Sequence, residues 1–409
     1  MKRREFIVNS ALLLAGSTML GGYGENPLII KPNEIVKRKY KNMAIPLLGF
    51  GCMRLPLKDK QIDVAEVERM VDYAINHGAN YFDTAYMYMD GKSENVIGKI
   101  LKQYKRSDII IADKSPIVFM NSKDDVKRIF EQQLKEKVDT DYFDFYMVHN
   151  INSNTYDSYK NFEVYKQLLD FKRQGLIKNL GFSYHGDIKM LKDVVKEHKW
   201  DFCQLQMNYF DWGSGVNSKE QYEIATGAKL PIIVMEPLRG GNLCSLPTKA
   251  VSELKAKMPN ETQASYALKW IAGKSGILTV LSGMSNLQQM KENIATFENF
   301  KPLTKDEEAL SERIVSIIRQ ESEIACTSCR YCLELCPNGI AIPKIFSLYN
   351  QYKRDKNPWL LSTYYNNIPE NARADKCTQC GLCKTNCPQN LDIPTLLKKI
   401  DKEVKSIKL

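Results

Sequence analysis

The chain has 409 residues, 58 Lys and Arg against 48 Asp and Glu, and 44% hydrophobic residues. That length exceeds one small core and predicts two or three folding units, while the balance of apolar and charged residues excludes a disordered or membrane-embedded chain. The basic residues are scattered along predicted helices, which excludes a nucleic-acid footprint, and thiolates bound to iron would offset part of the formal charge of +10.

The opening MKRREFIVNSALLLAGSTMLGGYG has a basic start, an apolar run from Phe6 to Leu20 and then small residues, the layout of a signal segment over residues 1–30. Arg3-Arg4 followed by Glu5, Phe6 and Ile7 resembles a twin-arginine signal, which implies export of a chain already folded around its cofactors. No A-x-A cleavage site is present, and a short helix on a cytoplasmic protein is the alternative. The run is too short for a stable membrane span, so membrane contact is expected only through an uncleaved signal.

From Met43 to Phe300, short β-rich runs alternate with helical stretches. Strands are predicted from Leu47, Asn80, Ile109, Phe143, Lys178, Asp201, Pro231 and Ile277. A helix is predicted over Val64 to His77, where Val64, Val67, Val71, Ala74 and Ile75 share one face. Eight such units predict an α/β fold, a (β/α)8 TIM barrel over residues 38–302, with its site on the loops after the strand ends. A doubly wound open sheet is the alternative, but no G-x-G-x-x-G follows the first strand.

Asp83, Tyr88, Lys114 and His149 fall at those strand ends. Each alone has a structural explanation, but together they form a chemical set. A tyrosine hydroxyl with an ordinary pKa of about 10 is a weak acid, a nearby lysine is expected to lower it, an aspartate would hold the lysine, and a histidine could orient a carbonyl oxygen. The stretches GANYFDTAYMYMDGKSENVIG, IIIADKS and FDFYMVHN resemble the signatures of the aldo-keto reductases, and the likeness extends over the whole barrel. The resemblance implies a reductase in which Tyr88 is the general acid, Lys114 and Asp83 tune it and His149 places the substrate. It further implies that Ser183 and Gln204 hold a nicotinamide and that Glu292 and Asn293 hold the adenosine end of NAD(P)H.

The chain also departs from the family pattern. Tyr184 stands where Asn is common, and Met235 where a tyrosine often stacks on the nicotinamide. Gly283 and Gln289 stand where cations often grip the 2′-phosphate, so NADPH is not favoured over NADH. A barrel that has lost nicotinamide binding is the alternative. The substrate, a small carbonyl or alcohol, is left open, with Asp211 to Ser218 and the TYYNNI stretch as the segments expected to select it.

Eight of the eleven cysteines lie in the last 84 residues, predicting a cluster domain over 303–409. They form two copies of C-x-x-C-x-x-C-x-x-x-C-P: Cys326, Cys329, Cys332, Cys336 and then Cys377, Cys380, Cys383, Cys387. That spacing predicts two 4Fe-4S clusters with the fourth cysteine of each motif serving the other cluster. One set is then Cys326, Cys329, Cys332 and Cys387, and the other Cys377, Cys380, Cys383 and Cys336. Structural zinc would need paired knuckles with longer gaps. Helices are expected in the gap and in the tail LDIPTLLKKIDKEV. This part resembles the α-helical ferredoxins of multi-subunit dehydrogenases, and its aromatic-rich insert is expected to pack on the barrel. Cys52, Cys203 and Cys244 are expected to be buried, unreactive thiols.

The two halves predict an oxidoreductase whose barrel handles hydride and whose clusters relay electrons to or from a redox protein or quinone-linked partner. A flavin is one possible mediator between the two-electron and one-electron chemistry. The alternatives are an electron-transfer subunit with the barrel as a docking scaffold, and clusters that only brace the fold.

Overall fold

The computed structural model describes residues 28–29, 34–213, 216–298, 300–321, 324–355 and 357–407. The signal-like segment with Arg3 and Arg4 lies outside them. Eight parallel strands close a barrel: β1 (Leu48–Gly51), β2 (Tyr81–Asp83), β3 (Ile110–Ser115), β4 (Phe143–Ile151), β5 (Ile177–Tyr184), β6 (Phe202–Gln206), β7 (Ile232–Met235) and β8 (Ile277–Ser282). Each pairs with the next in sequence, and β8 closes on β1 through Val280 opposite Leu48. All eight predicted strands are therefore present.

The helices α1 (Val64–Asn76), α2 (Ser93–Leu101), α3 (Asp124–Gln132), α4 (Val164–Arg173), α5 (Ile188–Glu197), α6 (Ser218–Gly227), α7 (Gln263–Ala272) and α8 (Leu287–Glu298) follow the strands. In α1 the expected stripe buries Val67, Val71 and Ala74, joined by Met70, while Ile75 is half-buried and Val64, in the first turn at the helix start, is exposed. Asp63 caps that start by accepting from the Glu66 amide. Inside the barrel Tyr81, Ile110, Phe145, Phe202, Ile233 and Leu278 form a packed core. An antiparallel hairpin of Lys37–Tyr40 and Met43–Pro46 plugs its lower end, where the Tyr40 hydroxyl donates to the Asp201 carbonyl at 2.9 Å. The opposite, C-terminal end is left for chemistry.

Helix α9 (Lys305–Glu321) buries Leu310, Ile314, Val315 and Ile317 in the core shared with the barrel helices. The sequence boundary at 302/303 thus falls before a helix whose apolar face belongs to the barrel. The cluster domain follows with α10 (Ile342–Asp355), α11 (Pro358–Asn366) and α12 (Ile393–Ser406). Its own small core contains Phe346, Tyr349, Leu361, Tyr365, Leu397 and Ile400. Phe346, Tyr349 and Tyr365 of the insert pack within the cluster domain against α12, while α10 also meets α9 on the barrel. Among the described residues no helix is long and apolar enough to cross a membrane.

Candidate active site and cluster sites

Asp83 ends β2 and Lys114 lies in β3, both buried at the upper end of the barrel. The Lys114 ammonium donates to Asp83 Oδ1 and to the Thr84 carbonyl, each at 2.6 Å, and sits 4.7 Å from the centre of the Tyr88 ring. Tyr88 follows β2 on a tight turn. Met89 and Asp90 take left-handed backbone angles (φ 55° and 56°) before Gly91 does the same, a conformation that costs about 1–2 kcal/mol for each residue with a Cβ. His149 lies in β4, and its ring stands edge-on to Tyr88 with centroids 6.2 Å apart. The four predicted residues are thus brought together.

Their protonation differs from the sequence expectation in one respect. Burial pushes the Tyr88 hydroxyl well above its ordinary pKa, reinforced by the Asp83 and Glu236 charges. The expected lowering by Lys114 is not what dominates, because the ammonium is spent on Asp83 and lies against the ring face. Tyr88 therefore keeps its proton. Burial also raises Asp83, opposed by Lys114 and by Gln204. His149 is held neutral by burial, with the Lys114 and His185 charges acting in the same direction.

Ser183 on β5 and Gln204 on β6 are paired neighbours in the sheet. Gln204 donates from Nε2 to Asp83 Oδ2 at 3.3 Å, while its buried Oε1 has no partner among the described residues. Ser183 Oγ accepts from the Asn150 amide at 2.7 Å, leaving its own proton to donate. One free acceptor beside one free donor is the complement of a carboxamide, so these residues fit a nicotinamide. A cavity of about 520 Å3 runs from Asp83, Tyr88 and Gln204 past Met235 to Gln289, Glu292 and Asn293. Asn293 is oriented by donating to Ser282 Oγ at 3.0 Å. Tyr184 plays no part in this wall, since its hydroxyl donates to the Asp187 carbonyl.

Two cavity residues were missed from the sequence. Arg54, after β1, pairs with Glu236, after β7, at 3.2 Å, and the second oxygen of Glu236 is buried without a partner among the described residues. The only available signal was their opposite charge at two strand ends. Cys52 and Cys203 are buried with thiol pKa values pushed up, as expected, whereas Cys244 is exposed beside the cavity, its thiol pushed up to about 11 by partial burial.

The eight other cysteines line two small cavities. Cys326, Cys329, Cys332 and Cys387 surround one, and Cys336, Cys377, Cys380 and Cys383 the other. These are the crossed sets predicted from the spacing. Backbone amides of Ser328 and Ile340 donate to the sulfurs of Cys326 and Cys336, both at 3.4 Å, as thiolates holding a cluster require. Eight unpaired thiols in two four-membered sets with N–H···S bonds fit iron–sulfur ligation.

Residues 47–315 match the aldo/keto reductase family, and residues 325–392 match a 4Fe-4S dicluster domain. The chain belongs to the aldo/keto reductase family. Among relatives of this reductase, an uncharacterized oxidoreductase of Bacillus subtilis, YqkF, is 25% identical over 305 residues, covering 66% of this chain and 94% of its own. The L-galactose dehydrogenase of Arabidopsis thaliana is 27% identical over 295 residues, covering 66% and 90%. The aldo-keto reductase AKR11C1 of Bacillus halodurans shares the fold, with a TM-score of 0.57 at 23% identity over 70% of this chain and 96% of its own. The reductase is accordingly an NAD(P)-dependent oxidoreductase carrying an added 4Fe-4S domain.

That domain is bolted over the catalytic end. Arg239, paired with buried Asp211 at 3.0 Å, donates to the Ala325 carbonyl at 2.8 Å and to Gln389 Oε1 at 3.1 Å. Asn242 donates to the Cys326 carbonyl at 2.8 Å, and Arg54 to that of Thr327 at 3.4 Å. At Gly240, with φ +66°, a Cβ would lie 1.9 Å from the Thr327 carbonyl oxygen.

Proposed function

We propose that this reductase reduces a small carbonyl, or oxidises the matching alcohol, with a nicotinamide held by Ser183, Gln204, Glu292 and Asn293, and exchanges electrons with a partner through two 4Fe-4S clusters. The observation that carries this reading is the Asp83–Lys114–Tyr88 arrangement at the head of the long cavity, with Lys114 at 2.6 Å from Asp83 and 4.7 Å from the Tyr88 ring. When bound, the nicotinamide supplies a hydride and the clusters supply single electrons.

The chain's own residues do the rest. Tyr88, kept protonated by burial, donates its proton to the substrate oxygen. Lys114 then stabilises the phenolate left behind, and Asp83 keeps the lysine in place, its attraction offsetting the cost of burying both charges. Neutral His149 hydrogen-bonds the same oxygen and orients it toward Tyr88. A dinucleotide is consistent with the cavity's length and with the NADP bound in the Klebsiella pneumoniae aldo/keto reductase, which has a TM-score of 0.53 at 20% identity and covers 67% of this chain and 93% of its own. Arg54 is paired with Glu236, and Gly283 and Gln289 carry no charge, so the cavity gives NADPH no advantage over NADH.

The dicluster match and the two four-cysteine cavities support two clusters in series, the first against the barrel and the second, with exposed Cys380, toward a redox protein or a quinone-linked partner. A flavin would reconcile hydride with single electrons, and the twin-arginine-like start supports export of the loaded protein. The test is anaerobic titration with NADH and NADPH while cluster absorbance and electron paramagnetic resonance are followed. Cluster reduction is expected. Nucleotide binding without it would remove the electron link, and no binding would leave an electron-transfer subunit on a barrel scaffold. In Tyr88→Phe carbonyl turnover should fall by about 10²–10⁴ with the clusters unchanged, and undiminished turnover would sink the assignment of the acid.

A further inference from the structure

The two cysteine motifs fold alike but face different surroundings. In each, the residue before the second cysteine and the residue after it take left-handed angles: Ser328 and Arg330 at φ 54° and 71°, Gln379 and Gly381 at φ 59° and 81°. Tyr331 in the first loop and Leu382 in the second therefore occupy equivalent places, each opening a one-turn helix that holds the third cysteine. Leu382 is 48% exposed. Tyr331 is turned into the mouth of the barrel, where burial and the nearby Glu236 charge hold its hydroxyl protonated against the pull of Lys114, and its ring stands edge-on to His185 at 6.5 Å.

A proton on His185 would oppose one on His149, whose ring stands edge-on to Tyr88 with centroids 6.2 Å apart. Neither Tyr331 nor the two histidines is among the residues lining the long cavity. Through His149, whose ring stands edge-on to Tyr88, they adjoin the head of that cavity, where a carbonyl receiving the Tyr88 proton would lie. The loop that brings Tyr331 there is fixed rather than swinging, because Arg239, Asn242 and Arg54 each hold one of its carbonyls and Gly240 leaves no room beneath Thr327.

We infer that Tyr331 is a wall of the substrate site, so that the first cluster loop restricts the reaction to compact carbonyls bearing a second hydrogen-bonding oxygen. The ring sets the size limit. Its hydroxyl, with the two imidazoles, offers polar partners that a plain alkyl chain would leave unsatisfied. The inference rests on the carbonyl reading above, and it makes the cluster domain part of the active site as well as an electron path.

The experiment uses the full chain with its clusters and compares propanal, lactaldehyde and octanal in the parent, Tyr331→Ala and Tyr331→Phe. Tyr331→Ala should raise kcat/KM for octanal relative to propanal by roughly tenfold or more, mainly through KM. Tyr331→Phe should keep the size limit and reduce the preference for lactaldehyde over propanal by roughly tenfold. Tighter binding of octanamide than propanamide to Tyr331→Ala, read by quenching of bound NADH fluorescence, is the expected signal that does not depend on turnover. NADH affinity and cluster resonance signals should be those of the parent in both variants. Parent turnover that disappears with Tyr88→Phe leaves the carbonyl reading standing, and an unchanged size and hydroxyl profile in both Tyr331 variants would then overturn this inference alone. If the parent reduces none of the three aldehydes, both fall together.

Discussion

The barrel and the cluster domain hold themselves together in different ways. The barrel's core runs from Ile35 to Ile317 through buried aliphatic and aromatic side chains, with a second packed layer inside the strands. Its polar site is set into a scaffold whose apolar core includes none of Ser183, Gln204, Glu292 and Asn293. The cluster domain has a far smaller core, and Cys332 and Cys383 are part of it, with Cys326, Cys336, Cys377 and Cys387 packed against it. There the cysteines proposed as cluster ligands are themselves part of the structural core, as in small domains that fold around metal. The comparison teaches that loss of a cofactor should be a functional event in one region and a folding event in the other.

Iron removal tests this most severely. Oxidative stripping of the clusters should abolish the cooperative unfolding transition of the cluster domain in calorimetry while the barrel transition survives. A stripped chain that keeps both transitions would break the comparison.

Next in size is an injury to the barrel site alone. Lys114→Met leaves the buried Asp83 charge without its partner, with an expected loss of about 3–5 kcal/mol in denaturant unfolding of the barrel. Asp83→Asn added to it should restore much of that loss, and the cluster signals should not move. The junction between the regions is sharpened by Gly240→Ala, which places a methyl where the Thr327 carbonyl now sits and at a left-handed φ. About 2–3 kcal/mol should be lost, read as separation of the two unfolding transitions.

The smallest effect is one of pH. Burial lowers His185 from 6.5 to about 4. An unfolded chain takes up a proton there below pH about 6.5 that the folded chain refuses, so this residue's contribution to stability is present above that pH and is lost as pH falls toward 4. The loss should reach about 2 kcal/mol after allowance for partial exposure, and His185→Gln should flatten the profile over that window in denaturant titrations.

Much of the site was legible because strand ends are legible. Asp83, Lys114 and His149 were placed by eight regular hydrophobic runs, and Tyr88 by its distance from one of them. The protonation of Tyr88 was not legible, since it depends on how completely the neighbouring strands and the cluster loop enclose the ring, and burial outweighs the lysine. The packing of the aromatic insert was only partly legible, since α10 meets α9 while Phe346, Tyr349 and Tyr365 turn into the cluster core. Its rings could have served either domain, and the choice was made by α12, whose Leu397 and Ile400 supply the complementary surface.

The sequence by itself determined the eight-stranded barrel, the family of its chemistry and the crossed cysteine sets, because each is written in local spacing: periods of hydrophobic residues, and two-residue gaps between thiols. Only the tertiary structure decided what lies beside what. Arg54 meets Glu236, Arg239 reaches Ala325 and Gln389, and Tyr331 enters the barrel mouth while Leu382 faces solvent. Those meetings join residues far apart in the chain, and they follow from how two separately folded surfaces pack, which no local pattern records.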